Sequence, residues 1–476
     1  MSSNRIAPPP AARRLVALCL VAAACGEGAG GARGHDASDD AAPGAPDATV
    51  TPPDAAPPTP DAAPPTPDAA PPPEPDTPQG DLWTTHVTFD LAARTAVADL
   101  TLRAPPNGVV VLETGDLSLT GFEDADGVPV EYLPGRGRVT IATAGEAALS
   151  WRIRYGFQAH DGFRGLRAAS PTTLTWPQAC GNLFPCHSAP ADGVRLSADV
   201  KGLAPGDVAV ATPRLSTPAP AYQLAFAVGP YTRTPLGTSD GGVALVAFLR
   251  PGEEDVPAAL SALPEVFGLL ETWLGPYPFG PEAGLVTVDW GLGAVGGMEH
   301  HPYWHVSGAQ RNLLVNAHEA VHGWFGNGVR LRCWEDEVLS EGVADYVSAE
   351  AVARATGVSA DDVFAEYRRA LETALPLTDE PRGRPSGCNV IDPSGPWFRR
   401  QIPYKRGALF LHAVAGRVEA DAVLAALGVF HRAHVGRAAG VDDLVETLTA
   451  ETGFDVSACA AAWLTEAAVP ADGPCR

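Results

Sequence analysis

The segment His318-Glu319-Ala320-Val321-His322 constrains this chain more than any other stretch. Read as a helix, it stacks two histidines four residues apart on one face, where their ring nitrogens can grip a single Zn²⁺ ion. Glu319 then points beside them without ligating. A catalytic zinc takes three protein ligands and keeps one position open, so a third ligand must come from elsewhere in the chain. Glu341 is the evident source. It follows His322 after eighteen intervening residues, in Ser340-Glu341-Gly342-Val343-Ala344-Asp345-Tyr346, which reads as the start of a second helix packed against the first. Taken alone, HExxH also arises by chance on an ordinary amphipathic helix. Joined to Glu341 and to the residues that flank both, it points to one His₂Glu zinc site per chain.

The periodicity on either side of this segment bounds the fold. From Trp83 to about Thr234 the pattern is that of strands. Leu149, Trp151, Ile153 and Tyr155 alternate with Ser150, Arg152 and Arg154, giving one apolar and one wet face. Further strands are expected at Val109 to Leu112, Val194 to Val200 and Tyr222 to Val228. Gly and Pro separate them at short intervals, which suits a β-sandwich or a curved sheet. The period then changes: Leu260, Leu263, Val266, Phe267 and Leu270 form a helical stripe within Ala258 to Leu274, and most of the chain beyond Leu274 also reads as helix.

The N-terminal residues have a separate task. Arg13 and Arg14 precede a short apolar run, Leu15 to Ala24, that ends at Cys25, the pattern of a secretory signal. The run is too short to span a bilayer as a helix. Val21-Ala22-Ala23-Ala24-Cys25 resembles a bacterial lipobox, with Ala22 where Leu is more usual; an ordinary cleaved signal with an incidental Cys is the other reading. The lipobox reading implies an exported, lipid-anchored protein of the bacterial cell envelope, at the outer membrane or the periplasmic face. Gly26 lacks the Asp often linked with inner-membrane retention. From Gly26 to about Gly80 the unit PDAAPP begins at Pro53, Pro60 and Pro67. So much proline with so few large apolar residues cannot offset the entropy of folding, and the stretch reads as an extended spacer.

Cysteine usage fits an exported chain. Of the eight cysteines, Cys180, Cys186, Cys333, Cys388, Cys459 and Cys475 lie beyond the signal. Proximity would pair Cys180 with Cys186, Cys459 with Cys475 and Cys333 with Cys388, although six cysteines allow fifteen connectivities. A formal charge of −23 argues against nucleic acid, which binds through a surplus of Lys and Arg.

Several ordered motifs carry a resemblance. His318-Glu319-Ala320-Val321-His322-Gly323-Trp324-Phe325-Gly326-Asn327, with Trp334, Asp336 and Leu339 to Ala344, resembles the aminopeptidase N type of gluzincin metallopeptidase. Upstream, Gly275-Pro276-Tyr277-Pro278-Phe279 and Gly296-Gly297-Met298-Glu299-His300 resemble that family's helix end and its GxMEN exopeptidase motif. Phe184-Pro185-Cys186 and Phe226-Ala227-Val228-Gly229 match landmarks of its β domain, and Tyr404-Lys405-Arg406-Gly407 its Tyr-x-Lys-Gly segment. The match runs in order from about Asp81 to about Val418.

What the resemblance implies is a multidomain α+β chain, with an N-terminal β-sandwich or saddle domain followed by a mostly helical thermolysin-like catalytic domain. Residues 1–25 would be the lipoprotein signal, 26–80 a disordered Pro/Ala/Asp-rich linker, 81–235 the β domain, 236–436 the zinc peptidase domain and 437–476 a short helical tail. The activity implied is that of a zinc aminopeptidase acting on peptides. Zinc on His318, His322 and Glu341 would polarise the scissile carbonyl and make water a usable nucleophile. Glu319 would be the general base, and Tyr404 would donate to the oxyanion. Gly297 and Glu299 would bind substrate, Glu299 taking the free α-amino group, and Gln178 would help to hold that amine. For Tyr404 a half-buried core tyrosine is the competing reading.

The chain departs from the pattern at His300 (usually Asn), Ser340 (usually Asn) and Arg406 (usually Lys). His187, His301 and His305 read as solvated or structural, and Trp324 and Phe325 as core. Fewer residues follow Val418 than in the family's large members, whose helical domain encloses the site; a more open cleft, admitting longer peptides, is expected. A non-peptidase zinc hydrolase and a non-catalytic zinc-binding lipoprotein are the alternatives. Retention of Glu319 argues against the latter, since a structural site needs no base.

Overall fold

The computed structural model describes residues 83–145, 148–160, 164–167, 170–291, 296–385, 395–470 and 475. The signal, Cys25, the spacer and Cys388 lie outside the described residues. Within them, no helix is long and apolar enough to cross a membrane.

Alternation of large apolar and polar residues builds the first half as sheet. Ala148–Gly156 is a strand whose Trp151, Ile153 and Tyr155 are buried while Ser150, Arg152 and Arg154 face solvent. It lies between Thr95–Arg103 and Ser118–Asp124 in a five-stranded sheet completed by Trp83–Asp90 and Val194–Lys201, the last pair parallel. A three-stranded sheet, Val109–Glu113, Arg138–Ala142 and Leu133–Gly135, accompanies it. The expected strand from Tyr222 is shorter than the sequence suggests: Ala221–Gln223 is a 3₁₀ turn, and the strand itself is Phe226–Gly229.

The second half opens on a mixed sheet ordered Thr232–Thr238, Ala244–Leu249, Glu282–Thr287, Tyr303–Val306, Gly297–Met298. Its inner strands pair in parallel and are buried on both faces, so their sequences lack the alternation that marks a strand and suggest helix instead. The stripe between Ala258 and Leu274 is also interrupted. Val256–Ala259 is a short turn of helix, and the longer helix starts afresh at Leu263–Leu274, where Pro264 occupies the first turn that tolerates it. Helices Leu313–Val321, Val343–Thr356, Ala360–Ala374, Ile402–Val418 and Ala420–His434 come after it.

Two devices bring the helices around the motif. Helix Leu313–Val321 is capped by Asn312, whose Oδ1 accepts from the amides of Leu314 and Val315 at 3.0 and 3.3 Å. Where Val338–Gly342 meets Ile402–Val418, a Cβ on Gly342 would fall 2.6 Å from the Gly407 Cα, so only a glycine pair permits this crossing. Arg330 ties the β-rich half to the helical half: its Nη1 donates to the carbonyls of Pro218 and Gly436 at 3.1 and 2.9 Å, and its Nε to that of Ala191 at 3.2 Å.

Disulfides Cys180–Cys186 and Cys459–Cys475 are present. Cys333 is also disulfide-bonded.

Candidate metal centre

Helix Leu313–Val321 stacks His318 and His322 as the four-residue spacing requires, their Nε2 atoms 3.2 Å apart. Glu341 arrives on a π-helical turn, Val338–Gly342, leading into Val343–Thr356. Such wide turns recur at functional sites. Its Oε2 lies 3.0 Å from His318 Nε2 and 3.3 Å from His322 Nε2. Three donors at zinc bonding distance and tetrahedral angles would be about 3.4 Å apart, so this triangle fits the ion.

The far side of each imidazole is held. His318 Nδ1 faces Asp345 Oδ1 at 3.0 Å, and Asp345 Oδ2 accepts from Lys405 Nζ at 2.7 Å. His322 Nδ1 lies 3.1 Å from the Phe325 carbonyl and 3.2 Å from Ser340 Oγ. These partners fix which ring nitrogens point at the shared centre. Ser340 thereby has a definite contact at its departure from the pattern.

The acids respond to this setting in opposite directions. Burial opposes ionisation of Glu341, but the two histidines outweigh it and hold its carboxyl far below the usual range. Burial likewise works against the imidazolium of His318, which the carboxylates of Asp345 and Glu341 nevertheless hold well above the ordinary histidine value. Glu319, without a direct ion pair, is pushed by burial up to about 8. Gly297 on the edge strand makes room for it: a Cβ there would fall 2.1 Å from Glu319 Oε1.

Glu299 stands beside Glu319 and His322, with a donor atom from each of the three within 4.8 Å of the others. The Tyr222 hydroxyl lies between Glu299 Oε1 and Asn327 Oδ1, at 2.8 and 2.9 Å, with one proton to donate between them. Gln223 clamps the same strand end, its Nε2 donating to the Glu299 carbonyl at 2.9 Å while its Oε1 accepts from the His301 amide at 2.7 Å. Tyr404 lies in the first turn of Ile402–Val418, and its ring is parallel to His318 within 8° at 5.8 Å. Burial raises its hydroxyl well above the usual value, so it remains a donor at neutral pH.

Gln178 lines a cleft of about 300 Å³ with Glu113, Arg164, Trp176 and Asn182. His301 is buried between Tyr277, whose hydroxyl is 2.7 Å from Nδ1, and the Glu319 carbonyl, 3.0 Å from Nε2. Burial pushes His301 and His305 down to about 3, and His300, 3.2 Å from His305, is neutral for the same reason. His187 pairs with Asp192. These histidines are structural and not solvated. Trp324 and Phe325 are core.

Residues 302–463 match the family model described as the peptidase family M1 domain. Aminopeptidase N of Lactococcus lactis subsp. lactis is 26% identical over 283 residues, 54% of this chain and 32% of that protein. Leucine aminopeptidase 2 of Pyricularia oryzae is 28% identical over 287 residues, 53% of this chain and 45% of its own length. Over residues 302–463 the chain is thus similar to peptidase family M1. It spans less than half the length of these curated family members. Among solved M1 structures, the zinc metallopeptidase of Deinococcus radiodurans superposes with a TM-score of 0.66 at 20% identity, covering 82% of this chain and 95% of that one. Native yeast LTA4 hydrolase gives 0.69 at 15% identity, covering 82% and 68%. These likenesses confirm the multidomain α+β fold. Similarity to the M1 family implies one catalytic zinc, which the His318, His322 and Glu341 triangle suits.

The sequence alone does not assign Tyr222, Gln223, Asn327, Asp345 or Lys405 to the site. Asp345 is within its reach, because a residue four after Glu341 lies on the same helical face. Tyr222 and Gln223 reach Glu299 across more than seventy residues, and no local spacing signals that.

Proposed function

We propose that this M1 chain is a zinc-dependent aminopeptidase that removes N-terminal residues from peptides. The observation that carries the proposal is the nearness of Glu299 to Glu319 and His322. The α-nitrogen and carbonyl carbon of one residue are only about 2.5 Å apart, from standard backbone bond lengths and angle. A carboxylate that grips the free amine must therefore sit within a few ångströms of the groups acting on that carbonyl. Glu299 meets this requirement, and its link to Tyr222 and Gln223 keeps it from swinging away.

Bound zinc would supply Lewis acidity at the scissile carbonyl and make water nucleophilic near neutral pH. Glu319 takes the proton from that water and returns it to the departing amine. Tyr404 donates its hydroxyl to the oxygen on which charge develops. Asp345 and Lys405 orient His318 and do not touch substrate. We further propose that acylated Cys25 anchors the protein to an envelope membrane, which mass analysis of the mature N-terminus tests.

The deciding assay combines zinc content with cleavage of aminoacyl amides bearing free or acetylated amino groups. Stoichiometric zinc and cleavage of the free-amine set alone are expected. Glu319→Gln should keep the fold and the zinc and lose at least about 100-fold in kcat. Cleavage of the acetylated set, or activity retained in Glu319→Gln, would refute the reading.

A further inference from the structure

Glu337 has no function in the mechanism above, yet it is buried among its residues, only 1% exposed. It lies three residues after Trp334 and one turn before Glu341. Its Oε1 is sealed from solvent without a hydrogen-bond partner. The charged groups that bear on it, Glu341, Glu299 and Asp336, are all acidic. Burial, reinforced by these acids, pushes its carboxyl well above the usual range, and the ionised form is favoured only where a cation meets it.

With every acid of the site counted as ionised, one is left without a counter-charge. A bound zinc is matched by Glu341 and Glu319, Asp345 has Lys405, and a substrate's α-ammonium answers Glu299. Glu337 remains over.

The surrounding rings fit the same ligand. Tyr222 packs against Trp334 with centroids 6.1 Å apart, Trp334 meets Trp176 edge-on at 6.1 Å, Trp176 lies on Phe398 at 4.5 Å, and Phe398 meets Tyr404 at 5.4 Å. An arc of aromatic rings thus runs from the partner of Glu299 to the ring stacked on His318. Such surfaces favour both the methylene stem of a basic side chain and its charged head.

We infer that Glu337, together with this aromatic arc, selects substrates whose N-terminal residue carries a cationic side chain, arginine or lysine. The inference rests on the aminopeptidase reading and adds to it the side-chain class that the enzyme takes.

The test compares arginyl with citrullyl p-nitroanilide, a pair alike in shape that differs in charge, on the zinc-loaded full chain. The wild type should favour the arginyl substrate by about 10- to 100-fold in kcat/KM, the range of a charge-assisted hydrogen bond. Glu337→Gln should bring that ratio close to one. A wild-type ratio near one, or a ratio that survives in Glu337→Gln, would overturn the inference. Glu337→Leu provides a second variant should the first fold poorly. If neither substrate is cleaved, the aminopeptidase reading fails, and calorimetric titration of argininamide against citrullinamide still decides the selectivity. Tighter argininamide binding that Glu337→Gln abolishes sustains it, and equal or absent binding of the two amides defeats it.

Discussion

Asp345 holds the His318 ring from the side opposite Glu341, with Oδ1 3.0 Å from Nδ1. The same carboxylate is itself tied down by Lys405 Nζ at 2.7 Å, so the ring orientation is relayed from the Ile402–Val418 helix. Loss of such an outer partner costs roughly 10- to 100-fold in metal affinity. Asp345→Asn should weaken zinc binding by that amount in a chelator competition while the fold persists. A change below about threefold, well short of that range, would show that Asp345 serves packing alone.

Gly297 and Glu319 make a second dependence visible. An added methyl at Gly297 would meet Oε1 at 2.1 Å and Cδ at 2.5 Å, so Gly297→Ala must displace the carboxylate or the edge strand. A displaced base costs turnover, because a misplacement of about 1 Å can lower a rate by 100-fold. Gly296 next to it provides the control, since among the described residues its nearest neighbour would be the Ala309 Cβ at 3.6 Å. We expect kcat to fall at least about tenfold in Gly297→Ala and little in Gly296→Ala, with zinc content retained in both. Equal effects from the two would remove the steric argument.

Arg406 is fully buried, and its guanidinium donates to the carbonyls of Trp463 at 2.8 Å and Ala467 at 2.5 Å. It clamps the chain after residue 460 onto the helix that carries Tyr404. Arg406→Met leaves the buried Trp463 carbonyl without a donor, at about 1–3 kcal/mol, and releases the carbonyl of the exposed Ala467. A loss of roughly 1–3 kcal/mol in urea unfolding is expected. Arg406→Lys should recover part of it, as a single ammonium cannot span both carbonyls as the planar fork does. No change in midpoint would mean that the tail contributes nothing to the stability of the domain.

The grouping of His318, His322 and Glu341 was legible in the sequence because its spacing is local: four residues fix two histidines on one helical face, and a second helix had to supply the acid. The strand Ala148–Gly156 was legible for the same reason, its alternation running from Leu149 to Tyr155. What failed was structure decided at long range. Glu282–Thr287 is buried on both faces by elements distant in the chain, so its pattern carries no period. Tyr222 and Gln223 continue an apolar run that looks like a strand, but their side chains are engaged by Glu299 and His301, and the backbone turns there instead of extending. Glu337 is silent in the sequence, since an acid in an acidic chain is conspicuous only once its burial is known.

Removing the metal should make stability depend on pH in a defined direction. In the metal-free fold, His318 and His322 hold their protons more tightly than an unfolded histidine, and burial pushes Glu319 up to about 8. A group whose pKa is raised by folding stabilises fully below its unfolded value and loses that contribution as pH rises through the folded one. The chelated protein should therefore lose thermal stability between about pH 6.5, the unfolded histidine value, and the alkaline side of 8. Zinc needs the same histidines unprotonated, so its affinity increases over that window and the loaded protein is spared. Calorimetric Tm values with and without chelator should accordingly diverge as pH rises. A chelated Tm that climbs from about pH 6.5 to 9 would contradict the coupling of His318 and His322 to Glu341.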